Sequence, residues 1–403
     1  MQILVVCQYY YPEPFRITDI CETLVQKGHQ VTVLTGLPNY PEGKVLDEYR
    51  RGQKRNENIN GVEIIRCFEI GRGRGRLRLF LNYLSFALSG SLKVRTLKDS
   101  FDVVFVNQLS PVMMALPAIV YKRKHHKKTL LYCLDLWPES LAAGGIASSS
   151  FIYKMFLDIS RRIYRSVDKI LVTSSMFKDY FSDVLGMDTK NIRHLPQYAE
   201  DLFFEKVEQP RTAVGPDKDA AFHFVFAGNI GEMQSVDTII KAANELRDHK
   251  NIVVHIVGDG TKLYYCKDLA QGFGLENIHF YGRRPVEEMP QYYSMASAML
   301  ITLKDNQALS YTLPGKIQSY MAAGKPIIGA INGETARVIQ EAGCGFCCSA
   351  EDFMGLAGLL LAFCNSDERL HMEENSLNYY SMHYDKNGFY ADIEDSFRLL
   401  VDE

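Results

Sequence analysis

Short apolar runs alternate with amphipathic stretches along most of this chain. Ile3–Cys7, Gln30–Thr35, Val62–Cys67, Val103–Asn107, Thr129–Cys133 and Lys169–Thr173 are rich in β-branched and aromatic residues with few charges, which predicts strands buried on both faces. Ile17–Lys27 has helical spacing with Gly28 as its stop. From Leu195 the pattern breaks into Pro196 and then the polar, Pro- and Gly-containing stretch 208–219, which reads as a linker. Alternation then restarts, with strands expected at Phe222–Ala227, Ile252–Val257, Ile278–Tyr281, Met299–Leu303 and Pro326–Ala330. Helices are expected at Asp237–Arg247, from about Lys262 to Gly272, and at Gly315–Ala323. Phe389, Ile393, Phe397 and Leu400 fall at helical spacing in the last stretch. The expected fold class is therefore α/β: a Rossmann-like domain 1–200, a linker 201–221, a second Rossmann-like domain 222–381, and a helix 382–403 packing back across both. Open parallel sheets bind ligands at the carboxyl ends of their strands, so two such domains imply a cleft site.

Charge sharpens this picture more than composition does. The net charge of −3 conceals 28 Lys and Arg against 19 Asp and Glu in residues 1–200, so the first half is basic and the second acidic. That asymmetry points to an anionic partner for the first half. The longest apolar stretch, Leu79–Val94, is broken by Asn82, Ser85, Ser89, Ser91 and Lys93 and is not expected to span a bilayer. The opening run to Cys7 is too short for a secretory core. Nine scattered cysteines fit a reducing cytoplasm, and the lone Cys344-Gly-Phe-Cys347 lacks a second ligand pair, so no metal is expected.

The turn after the first strand, Gln8-Tyr-Tyr-Tyr-Pro-Glu-Pro-Phe-Arg16, has no glycine, which argues against dinucleotide binding. A Walker A motif is also absent. In the second half, Phe224-Val-Phe-Ala-Gly-Asn-Ile-Gly231 precedes a helix for which Ser235 is the expected cap, a setting for phosphate or simply a tight turn. Ile252–Val257 followed by Gly258-Asp-Gly repeats the arrangement. Lys316 falls in the first turn of the helix after Pro314, where a cation is disfavoured unless an anion is present; the plain alternative is a solvated lysine.

With these residues in view the sequence resembles the bacterial surface-polysaccharide glycosyltransferases of family 4, and within them the L-N-acetylfucosamine (L-FucNAc) transferases of O-antigen and capsule pathways. The resemblance is carried by residues 8–16, 27–44, Asp135-Leu-Trp-Pro-Glu-Ser140, Ala227-Gly-Asn-Ile-Gly231, Val257-Gly-Asp-Gly260, Leu313–Pro326 and Gly333-Glu334. It implies a GT-B fold, two Rossmann-like domains facing each other across a cleft. It also implies a UDP-sugar donor held mainly by the second domain and a lipid-linked (polyprenyl diphosphate) saccharide acceptor held mainly by the first, with no metal, no cofactor and no nucleic acid. The chain departs from the family at the usual glutamate pair, which here is Tyr311 and Ser319, and at the usual Arg and Lys after the glycine turn, which fall near Asn229 and Gln234.

Donor contacts implied are Asn229, Gly231, Gln234, Gly258, Arg283, Arg284, Tyr311, Thr312, Leu313, Lys316, Ser319 and Glu334. Lys316 and the turn Thr312–Lys316 are assigned the diphosphate, the Arg283-Arg284 loop the base, and Glu334 or Ser319 the ribose. Asp135, Lys316 and Glu13 are the candidate catalytic residues, with Arg16, Asp135, Trp137 and Glu139 on the acceptor side. Asp135 is expected to orient hydroxyls or else to cap the helix near Pro138, and Trp137 to stack on sugar or else to fill the core. The expected chemistry is retaining, metal-independent transfer, with a UDP-sugar epimerase or hydrolase and a nonenzymatic nucleotide-sugar binder as alternatives. Arg72, Arg74, Arg76 and Arg78 lead into an apolar helical stripe, so peripheral attachment to an anionic inner-membrane surface from the cytoplasm is expected, against the alternative of a core helix.

Overall fold

The computed structural model describes all residues except 74, 144, 205–221 and 403. The chain divides into two compact units: Met1–Leu195 with Tyr390–Glu403, and Pro196–Phe389. Most of the expected linker and Arg74 lie outside the described residues.

The first unit is built on eight strands: β1 Gln2–Val6, β2 Gln30–Thr35, β3 Asn56–Ile59, β4 Val62–Arg66, β5 Val103–Gln108, β6 Lys128–Cys133, β7 Lys169–Val172 and β8 Ile192–His194. Their order is β3-β4-β2-β1-β5-β6-β7-β8, parallel except for the β3–β4 hairpin. β1, β5 and β6 are buried almost throughout, as expected for strands covered on both faces. Sequence reading missed β3 and β8 because both are short edge strands without an apolar run. Helix α1 (Ile17–Gln26) follows β1, and helix α2 (Arg76–Val94) follows β4.

The second unit has six strands, β9 Phe222–Ala227, β10 Ile252–Val257, β11 Ile278–Gly282, β12 Ala298–Thr302, β13 Ile327–Ala330 and β14 Gly345–Cys348, in the order β11-β10-β9-β12-β13-β14 and all parallel. Its core lies on both faces of the sheet, around Val225, Ile301 and Tyr320 on one side and Phe226, Ile240 and Leu360 on the other. The Cys344–Cys347 motif belongs to this sheet, since β14 pairs with β13 through Gly345, Phe346 and Cys347. Burial raises the Cys347 thiol to about 12.

The last helix, Lys386–Asp402, begins in the second unit and ends in the first. Within the first unit Ile393, Phe397 and Leu400 are fully buried, the Phe397 ring meets Phe105 edge-on at 5.6 Å, and Glu394 pairs with Lys27 and His29 at 2.9 Å.

Candidate functional site

In the second unit the loops after β9, β10 and β11 converge. Gly228 N–H donates to the Val257 carbonyl and Gly258 N–H to the Gly282 carbonyl, both at 2.9 Å. Gly258, at φ +145°, is required here: a Cβ would stand 1.8 Å from the Gly228 oxygen. These contacts bring Gly228, Asn229, Gly258 and the turn before Arg283 together. Arg283 and Arg284 are exposed, and Arg284 lies 3.9 Å from Glu288. The glycine turn carries no cation of its own. Gln234 Oε1 accepts from Asn229 Nδ2 at 3.0 Å and from the Gly231 N–H at 3.2 Å, closing the loop on itself. Ser235 occupies the expected cap position, but its side chain makes no cap bond; its hydroxyl meets Thr238 instead.

The charge comes from Lys316. Its helix runs Lys316–Ala322, one residue later than expected and only seven long, so the side chain rather than a helix dipole supplies the field. The Tyr320 hydroxyl, one turn on, bonds both the Ala227 N–H and carbonyl at 3.2 and 3.0 Å, pinning this helix against the end of β9. Lys316 Nζ then lies 4.1 Å from the Phe226 ring centroid, and a Cβ on Gly228 would fall 2.7 Å from it. Nζ is buried without a hydrogen-bond partner. Burial alone pulls its pKa down to about 7. A buried ammonium with no partner is expensive, and the open glycine turn beside it is where an anion would supply one. The alternative of a solvated lysine is set aside.

The other expected donor residues divide into two groups. Tyr311 and Thr312 are half-buried, Leu313 is buried, and the Thr312 carbonyl accepts from Thr335 at 3.3 Å, which brings this turn beside Gly333-Glu334. Glu334 corrects its expectation: its side chain is fully buried and chelated by Arg337 at 2.9 and 3.2 Å, so its carboxylate does not face a ribose. Ser319 is buried, and its hydroxyl donates to the Glu200 carboxylate at 3.4 Å. Glu200 was missed in the sequence because it lies 119 positions from Ser319.

In the first unit, the loops at the carboxyl ends of β1, β2 and β4 close around two buried carboxylates. Glu13 accepts from the backbone N–H groups of Tyr40, Asn39 and Tyr10 at 2.7, 2.8 and 3.3 Å. Desolvation outweighs these bonds and raises its pKa to about 7. Glu69 accepts from Gln8 Nε2 and Asn82 Nδ2, both at 2.6 Å, and from the Leu37 N–H at 3.1 Å; burial holds it well above the usual carboxylate range. Glu69 is absent from the candidates that the sequence singles out. The signal available was an acid just past a strand end, paired with Asn82 in an otherwise apolar helical run.

Asp135 follows β6 and is half-buried. Its carboxylate accepts from the hydroxyls of Ser110 and Ser140, the latter at 2.6 Å, and burial raises its pKa. The adjacent helix starts at Glu139, and Asp135 meets it through the Ser140 side chain rather than as a simple cap. Arg16 sits at the N-cap position of α1, half-exposed. Glu139 accepts from the Tyr153 hydroxyl. Of the two readings of Trp137 the structure favours the core: it is 2% exposed and packs edge-on against Phe156 at 4.9 Å. Among the described residues no cluster of three or more His, Cys, Asp or Glu is arranged to hold a metal ion.

Family models match both halves of the chain: residues 15–197 match a glycosyl transferase 4-like domain, and residues 212–378 the group 1 glycosyl transferases. The chain belongs to the GT-B glycosyltransferases of family 4. It is similar to WcaI of Escherichia coli K12, named as a colanic acid biosynthesis glycosyl transferase, at 24% identity over 80% of this chain and 82% of that one. It is also similar to WbjE of Pseudomonas aeruginosa, named as a glycosyltransferase, at 25% identity over 75% and 76% of the two chains. Among solved structures, Anabaena HepE in complex with UDP superposes with a TM-score of 0.73 at 15% identity, covering 99% of this chain and all of that one. WaaG, described as a glycosyltransferase of lipopolysaccharide biosynthesis, gives 0.66 at 15% identity with 99% of each chain covered. For this glycosyltransferase the two sheets therefore serve as the two halves of a GT-B fold.

Proposed function

We propose that the chain moves an N-acetylated amino sugar, of which L-FucNAc is the reading favoured by the sequence, from a UDP-sugar to a lipid-linked saccharide during surface-polysaccharide assembly. The observation that carries the donor assignment is the partnerless Lys316 ammonium beside the glycine turn of β9. A diphosphate there gives the ammonium its missing partner and receives a fixed charge where negative charge grows as the anomeric C–O bond breaks. Ser319 and Glu200 take the ribose hydroxyls in place of Glu334. The acceptor hydroxyl forms the new bond on the same face, and its proton passes to the departing diphosphate, so retention needs neither a dedicated protein base nor a metal ion. Asp135, anchored by two serine hydroxyls, orients the acceptor. The UDP complex of HepE and the colanic acid role in WcaI's name support this reading.

The test is a panel of UDP-sugars incubated with the protein, with and without a polyprenyl diphosphate-linked acceptor. UDP release that depends on acceptor supports transfer; release without acceptor indicates a hydrolase, and binding without turnover a nonenzymatic binder.

The membrane expectation belongs to the same proposal. No described helix is long and apolar enough to cross a bilayer. Helix α2 buries Asn82, Tyr83, Phe86 and Gly90 and leaves Leu77 and Leu88 73% and 56% exposed, with Phe80, Leu81 and Leu92 also in solvent. An outward apolar stripe beside Arg76 and Arg78 suits the headgroup layer of an anionic cytoplasmic leaflet. Salt-sensitive flotation with anionic liposomes, lost when Arg72, Arg74, Arg76 and Arg78 become Ser, is the expected result; equal flotation of the variant overturns it.

A further inference from the structure

A cavity of about 570 Å³ opens in the first unit beyond the ends of β2 and β4, with neither Glu13 nor Asp135 in its lining. Five cations line it: Lys44, Arg50, Arg51, Arg55 and Arg78. Arg50 is paired with Asp47 at 2.6 Å, and Arg78 Nε donates to the Gly71 carbonyl. Among the described residues Lys44, Arg51, Arg55 and Arg78 form no ion pair, so four positive charges face this space uncompensated. The one acidic residue in its wall, Glu69, has both oxygens committed to Gln8, Asn82 and Leu37. The nearby acids Asp47 and Glu48 point their charge into Arg50 and Lys54.

One lip of the cavity is apolar. Phe68 lines it and is 57% exposed. The segment carrying Phe68 is laid along α2 by a ladder of bonds: Ser89 Oγ to the Phe68 carbonyl at 2.6 Å, the Ile70 N–H to Ser85 at 2.9 Å, Asn82 to the Ile70 carbonyl at 2.7 Å and Arg78 to Gly71. The cationic space therefore borders the helix that exposes Leu77, Leu81 and Leu88.

We propose that this cavity is the seat of a prenyl diphosphate: the diphosphate among Arg51, Arg55, Arg78 and Lys44, and the first isoprene units over Phe68. Charge complementarity carries the first half, since guanidinium groups bind phosphate oxygens in a bidentate fork and four of the cations have no other counter-charge. The adjoining apolar lip carries the second, because a free inorganic diphosphate gains nothing from Phe68. The inference rests on the lipid-linked acceptor proposed above and gives that acceptor a site.

The experiment titrates the full-length protein calorimetrically with farnesyl diphosphate, inorganic pyrophosphate, farnesol and UDP. Farnesyl diphosphate is expected to bind at least tenfold more tightly than pyrophosphate or farnesol. Arg51→Gln combined with Arg55→Gln, at surface positions whose loss leaves the core intact, is expected to weaken it at least tenfold with UDP affinity unchanged, and Phe68→Ser to erase its advantage over pyrophosphate. No farnesyl diphosphate binding, or wild-type binding by the double variant, overturns the site. Equal binding of pyrophosphate, or displacement of farnesyl diphosphate by phosphatidylglycerol vesicles, assigns the cations to a free diphosphate or a lipid headgroup and overturns the prenyl ligand. Failure of the glycosyltransfer reading is separately visible as absent UDP binding and absent UDP-sugar turnover.

Discussion

The two units handle buried charge in opposite ways. In the first, Glu13 and Glu69 are wrapped by N–H donors from the loops they join, so each carboxylate acts as an internal clasp for residues 36–40. In the second, Lys316 Nζ is just as enclosed and has only the face of Phe226. A buried group with all its partners holds shape, whereas one without them stores a cost that a ligand can relieve. The difference sets fully bonded carboxylates apart from a cation without a hydrogen-bond partner, a distinction that residue type does not make.

The largest effect is expected at Lys316. Replacing it with Ala should lower transfer by about 10²–10³-fold, the range for loss of one preorganised charge at a developing anion. If its charge is stored cost, Lys316→Met should melt at a higher temperature than the native chain while losing donor affinity; a lower melting temperature would return Lys316 to the structural class. Glu69→Ala should do the reverse, costing about 3 kcal/mol by stranding two amides and a backbone N–H, a fall of roughly 6–12 °C in Tm by thermal melting. UDP affinity, measured well below the lowered Tm, should change little in that variant.

A smaller effect is expected from pH. Free Lys316 loses its proton through about pH 7, while a bound diphosphate keeps it charged, so binding takes up a proton above that pH. UDP affinity should therefore be full below pH 7 and fall by about tenfold per pH unit above it. Calorimetry in two buffers of different ionisation enthalpy reads the proton uptake, and Lys316→Met should abolish the slope. EDTA should have the smallest effect, leaving transfer unchanged; restoration of lost activity by magnesium or manganese would contradict the metal-free reading.

Much of the sheet scaffold was legible because buried parallel strands are continuous apolar runs; β2, β9 and β10 fall where the pattern put them. Lys316 was legible as an oddity, a cation in the first turn of a helix, but its lack of partners depends on Phe226 and Gly228 arriving from β9. Residue type left two readings open for Trp137 and offered Glu334 beside Ser319 for the ribose; only packing shows that both side chains are sealed. The Ser319–Glu200 pair and the clasp on Glu69 join distant segments, and no local spacing announces either.

The helix Lys386–Asp402 has a consequence for synthesis. The second unit is one uninterrupted segment, whereas the first needs its opening 195 residues and the stretch from Tyr390 onward. A ribosome reading from the amino end therefore delivers the first unit unfinished, with the places of Ile393, Phe397 and Leu400 vacant in its apolar interior. The second unit has its complete sequence first. In chain order it is an insertion within the other, and premature termination before Tyr390 leaves every residue of the second unit beside a first unit that has lost part of its core.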